Sequence, residues 1–147
     1  ITRKDSPDKE LDFQNFLASC SGGISRERKQ PKHCNNFRGN DKLSISPLDK
    51  NCETYFKYKI TGEIISSKKR KDSLDDFQKV EEVLENLGLN SEILKEKRKN
   101  LINQTFELIG SGMIKDISEE IKFYQSKQEN RYQPFCFVIY SYLKDYE

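Results

Sequence analysis

Thr54-Tyr55-Phe56-Lys57-Tyr58-Lys59-Ile60, followed by Thr61-Gly62-Glu63 and then Ile64-Ile65, is the stretch on which the fold class turns. Aromatic and β-branched residues in alternation, interrupted by a turn that carries glycine, predict a β-hairpin. Beyond it lies a basic run, Ser66 to Lys71, and then text with helical spacing. Ser73 is placed to cap a helix whose Leu74, Phe77, Val80, Val83, Leu84 and Leu87 share one face and which should stop near Gly88. Asn90-Ser91 opens a second helix, with Ile93, Leu94, Leu101, Ile102, Phe106 and Ile109 as its apolar positions and Gly110-Ser111-Gly112 as its end. A third begins at Ser118-Glu119-Glu120-Ile121. The run Pro134 to Leu143 is apolar on nearly every face and reads as a central helix with proline at its start, a strand being the alternative.

Working in the other direction, Leu43 to Leu48 reads as a short extended piece ending at Pro47. Residues 22–40 are Gly, Arg, Lys and Asn with hardly any hydrophobic periodicity, so burial of apolar surface cannot be what orders them. Asp12 to Ser19 reads as one or two helical turns, from the apolar Leu11, Phe13, Phe16, Leu17 and Cys20, and residues 1–10 as a charged loop. The expected class is therefore α+β, irregular at the front, a hairpin in the middle and helical at the back.

Composition narrows the function classes. A chain of 147 residues buries roughly two thirds of its unfolded surface, enough for a real core. Hydrophobic and charged residues each make up 34%, mean hydropathy is -0.88, and nine Phe and seven Tyr supply bulk in the absence of Trp. Net charge is only +2, so any attraction to a polyanion must come from local clusters. No apolar run is long enough to span a bilayer and no secretory signal is visible, which makes the cytoplasm the expected location and no membrane partner expected. Cys20, Cys34, Cys52 and Cys136 are unevenly spaced, so thiols or metal ligands are expected rather than a disulfide framework.

The front third holds the unusual constellation: Asn15, then Cys20, then a basic loop running into His33-Cys34-Asn35-Asn36-Phe37-Arg38-Gly39. A segment without a core of its own can be ordered by Zn²⁺, which binds thiolate and contributes folding free energy. Cys20 and Cys34 make half of such a site, with His33 or Cys52 as substitutes. Read blandly, Cys20 is a small buried hydrophobe, Cys136 is core, Cys52 packs at the hairpin's edge and His33 is a solvent-exposed loop histidine. Arg26, Arg28, Lys29, Lys32 and Arg38 are either a solvated face or contacts for backbone phosphates.

Taken together, Leu11-Asp12-Phe13-Gln14-Asn15-Phe16-Leu17-Ala18-Ser19-Cys20, His33-Cys34 with Arg38-Gly39, Ile45-Ser46-Pro47-Leu48-Asp49 with Cys52-Glu53, Phe56 and Tyr58, Thr61-Gly62-Glu63-Ile64, and Leu87-Gly88-Leu89-Asn90 with Leu94 and Arg98 resemble the PtuB-type HNH nucleases of retron and Septu defence systems. The resemblance covers roughly residues 11–102. It implies a Zn-knuckle ββα-metal nuclease core over residues 1–65 and a C-terminal helical domain over 72–147 that docks a partner. It also implies a catalytic Mg²⁺ or Mn²⁺ and a structural Zn²⁺. Asn15 would orient the loop that carries the general base. Asn35, or Asn36 if the register slips by one, would ligate the catalytic ion through its amide oxygen, and Cys20 and Cys34 would ligate zinc. His33 would be catalytic, phosphate-contacting or zinc-adjacent. The general-base histidine and a first Cys pair would lie upstream of Ile1, so these 147 residues alone are expected to be inactive. The implied activity is phosphodiester hydrolysis in DNA or RNA, licensed by an SMC-like or ABC-like (PtuA-like) ATPase partner. A reading of another class is a non-catalytic, zinc-stabilised adaptor whose helical half binds a protein.

Overall fold

The structure, a computed structural model, describes Leu11, residues 32–38 and residues 42–144. It is a mixed α/β architecture in which a single two-stranded sheet, among the described residues, accompanies several helices. The chain divides into two compact units that interleave. One comprises Ile1–Phe56 with Ser66–Ser91, the other Lys57–Ile65 with Glu92–Glu147. The helix over 74–86 groups with the front, and the hairpin's tip groups with the last three helices.

In the first unit, helix α1 (Asn35–Arg38) is a single turn, and helix α2 (Leu74–Asn86) is the main element. Ser73 is the N-cap of α2, its hydroxyl accepting from Asp76 N, and Asp75 and Asp76 occupy the first turn, where negative charge suits the helix dipole. Val80, Val83 and Leu84 are buried on the expected face, and Gly88, at φ +57, ends the helix in the left-handed conformation that glycine adopts without steric penalty. Leu43 to Leu48 is not extended. Ser46 N bonds to Asp49 Oδ2 at 3.2 Å, Asp49 N to Ser46 O at 3.0 Å, and Leu48 N to Ser46 Oγ at 3.2 Å. Short polar side chains thus satisfy the backbone locally and no partner strand is required. Ile45 is buried, and Ser44 Oγ donates to Lys79 O at 3.1 Å, which ties this loop to the middle of α2.

The strand expected from Thr54 begins later. Cys52–Tyr55 is a 3-10 turn, in which both the amide and the hydroxyl of Thr54 bond to Asn51 O, at 3.0 and 2.8 Å. Strand β1 (Phe56–Tyr58) then pairs with β2 (Ile64–Ser66). Gly62 N closes the turn on Lys59 O at 2.8 Å, Gly62 itself is at φ +78, and Lys59 N returns to Glu63 O at 2.8 Å. A turn followed by a left-handed glycine is the common three-residue hairpin connection.

The second unit is built on α3 (Glu92–Gly110), α4 (Ile117–Gln125) and α5 (Cys136–Lys144), with α5 packed against both others. Ile102, Ile121, Val138, Ile139 and Leu143 form its core, with Phe106 edge-on to Tyr142 at 6.3 Å and Tyr58 of the hairpin edge-on to Phe137 at 6.0 Å. The reading of 134–143 as a central helix holds, except that Pro134 lies in the turn before α5 rather than at its first position. α4 starts one residue before Ser118 because Asp116 is its cap, accepting from Ser118 N at 2.9 Å and Glu119 N at 3.2 Å. Asp116→Ala should therefore lower stability by about 1 kcal/mol in urea denaturation, with the slope unchanged. Among the described residues no helix is long and apolar enough to cross a membrane.

Candidate functional site

Residues 32–38 contain no apolar periodicity, and what orders them is the turn that follows α2. Cys34 N donates to Leu87 O at 2.7 Å, and Cys34 O accepts from Phe37 N at 3.1 Å and Arg38 N at 3.0 Å, which starts α1. Cys34 sits at φ +56, a conformation uncommon outside glycine and asparagine that reverses the chain at this residue. Phe37 lies over Gly88, close enough that a Cβ on the glycine would fall 3.3 Å from the ring. Gly88 thus serves twice, as helix stop and as the floor for an aromatic ring. The sequence pattern carries only the first signal.

His33 is buried, at 6% exposure, against the bland expectation of a solvent-exposed loop histidine. Its Nδ1 lies 3.3 Å from Cys34 Sγ, so either the thiol donates to an unprotonated Nδ1 or the ring N–H points at sulfur. A tetrahedral zinc with one sulfur and one imidazole ligand holds those two atoms about 3.5 Å apart, taking the usual bond lengths. The pair is therefore spaced as two ligands of one ion would be, and equally as a hydrogen-bonded thiol and imidazole. The described residues hold no group of three or more His, Cys, Asp and Glu side chains arranged for a metal, so further ligands would come from elsewhere.

The other expected site residues divide by where they fall. Asn15, Cys20, Arg26, Arg28 and Lys29 lie outside the described residues. Asn35 opens α1, and Asn36 is half-buried in the same turn. Lys32 is exposed. Arg38 is half-buried, and its Nε is a buried donor without a hydrogen-bond partner among the described residues, as is the hydroxyl of Ser91 at the far end of the Leu87–Ser91 turn. A buried donor left unmet on a guanidinium is unfavourable by roughly 1–3 kcal/mol.

Cys52 differs from Cys34. Half-buried in the 3-10 turn, it is 3.7 Å from Glu53 Oε2 and 3.9 Å from Pro47 O. Burial, and then the Glu53 carboxylate, push its thiol pKa up, which disfavours the thiolate that metal ligation needs. Cys136 is half-buried at the start of α5.

In the second unit another long-range contact involves residues from the sequence motifs. Arg98 on α3 is 3% exposed, and its Nε donates to Gly62 O at 2.5 Å. The hairpin turn is pressed onto that helix at Gly62, where an added Cβ would meet Lys95 O and Lys99 N. No protein-family model matches the chain, and no curated protein matches it.

Proposed function

We propose that the chain belongs to a metal-dependent HNH-type endonuclease that hydrolyses phosphodiester bonds in DNA or RNA, working in a defence system with an ATPase partner. The observation that carries this reading is the docking of Cys34 and Phe37 onto Leu87 and Gly88. Stretches far apart in the chain that together make up the resemblance to PtuB-type nucleases meet at one place, and Gly62 and Arg98, two more of its residues, meet at another.

In this reading Cys34, with Cys20, belongs to a zinc knuckle whose left-handed cysteine turns the chain into α1. Asn35 or Asn36 would ligate Mg²⁺ or Mn²⁺, ions that favour oxygen donors, through its amide oxygen. The ion, when bound, polarises the phosphate and stabilises the leaving oxygen. Arg38, half-buried in the same turn, would add its positive charge to the attraction for a backbone phosphate, which positions the nucleic acid without reading sequence. His33, buried beside the thiol, holds the corner in shape and fixes the side of the ring that faces sulfur.

Asn35→Ala and Asn15→Ala, each made in the full-length protein with its ATPase partner, should lower nucleic-acid cleavage in Mg²⁺ by on the order of a hundredfold, while bound zinc stays at the wild-type amount. Cleavage at the wild-type rate in both would end the site assignment. A wild-type protein that binds zinc and the partner but cuts neither DNA nor RNA would point to the adaptor.

A further inference from the structure

We infer that the turn Lys68-Lys69-Arg70-Lys71 is a second contact for a nucleic-acid backbone, set one helix length from the His33–Cys34 corner. The inference rests on the endonuclease reading above. All four side chains are exposed, and the turn that carries them is anchored at both ends. Ser67 bonds through its amide to Tyr55 O at 2.8 Å and through its hydroxyl to Thr54 O at 2.6 Å. On the other side Asp72 N and Ser73 N both return to Lys69 O, at 2.9 and 3.2 Å, just before α2 begins. The backbone therefore doubles back and gathers four positive charges instead of stringing them out. A patch held in place before binding loses less conformational freedom when it binds.

The charges are also unmatched. Three lysines elsewhere among the described residues are ion-paired, Lys59 with Glu63 at 2.6 Å, Lys79 with Asp75 at 2.5 Å and Lys95 with Glu92 at 2.5 Å. None of the four cations of the turn has an ion-pair partner among the described residues; of the acids that follow, Asp72 is exposed in the same turn and Asp75 pairs with Lys79. Like charges gathered on a fixed turn repel one another, and a polyanion removes that repulsion by binding there.

The fold also sets the spacing. α2 has 13 residues, so its two ends are about 20 Å apart. The basic turn adjoins its first residue, and Leu87, which holds Cys34, follows its last. In a duplex whose strands advance 3.4 Å per step, that separation is about six base pairs. A duplex lying along α2 would meet the candidate site and the basic turn together, with phosphate contacts at the turn that add affinity without sequence preference.

The test compares the full-length protein with its Lys68→Gln/Lys69→Gln/Arg70→Gln/Lys71→Gln variant. Binding to labelled duplexes is measured by fluorescence anisotropy without added Mg²⁺ or Mn²⁺ between about 50 and 200 mM salt, with circular dichroism to show that both are folded. We expect affinity to fall on the order of tenfold or more, and the slope of log K against log salt to become shallower by about 2 to 4, near 0.9 for each phosphate that is no longer neutralised. The gain in affinity on lengthening a duplex by about six base pairs on one side should disappear in the variant. Equal affinity and equal slope in the two proteins would overturn the inference. So would an unchanged slope together with loss of the ATPase partner in co-purification, because the turn would then dock on an acidic protein face. Wild-type cleavage of the same duplex in Mg²⁺ separates the two readings. Cleavage with no effect of the turn on binding sinks this inference alone, and binding through the turn without cleavage sinks the endonuclease alone.

Discussion

Gly62→Ala should remove the hairpin's tip from α3 and lower the stability of the second unit by roughly 3 kcal/mol or more. Two effects add at this position. Gly62 lies at φ +78, where an L-residue is strained by about 1–2 kcal/mol. Its Cβ would also overlap Lys95 O and come within 2.9 Å of Lys95 C and Lys99 N. These are backbone atoms of a helix and cannot swing aside as a side chain can. Gly112 separates the two effects, because it sits at φ +72 with nothing within 4 Å of an added Cβ. Gly112→Ala should therefore cost about 1–2 kcal/mol from strain alone. Urea denaturation of both variants checks the prediction. Equal losses would mean that the hairpin tip is not pressed onto the helix.

Arg98→Met should be nearly as damaging, at about 2 kcal/mol or more. The side chain is 3% exposed and its Nε–H meets Gly62 O, a hydrogen bond of a charged donor in a setting that water hardly reaches. Methionine keeps much of the stem's packing but leaves the carbonyl unmet. Arg98→Lys should restore little, because an ammonium on a flexible chain does not reproduce the guanidinium's fixed Nε–H. Since Gly62 and Arg98 share one bond, the double variant Gly62→Ala/Arg98→Met should lose less than the two single losses added together. Additive losses in a double-mutant cycle would show that the two residues act separately.

Much of the fold is legible from local chemistry. Ser73 as a cap, Gly88 and Gly110-Ser111-Gly112 as stops, and the Thr61-Gly62-Glu63 turn all lie where the pattern places them, because each acts through backbone groups within a few residues. The apolar stripe of α2 and the all-round apolar text of α5 likewise name the buried Val80, Val83, Val138, Ile139 and Leu143. Where local reading fails, another local interaction overrides it. Leu43 to Leu48 has the composition of a strand, but Ser46 and Asp49 close it into turns.

The candidate site is less legible. Its basic and cysteine-bearing text marks residues 32–38 as unusual, but nothing in that text shows that His33 is buried, that Cys34 is left-handed, or that Arg38 carries an unmet buried donor. The ordering of that corner comes from the Leu87–Ser91 turn, far along the chain, whose own residues read only as a helix ending.

The hairpin marks where local determination stops. Its strands and its glycine turn follow from the alternation of Phe56 and Tyr58 with Lys57 and from the left-handed freedom of Gly62, both properties of neighbouring residues. Its membership of the second unit does not. That was decided by Arg98 and the backbone of α3, 36 residues away in the case of the Arg98 bond, because burying a charged side chain requires an acceptor that only the folded chain brings within reach.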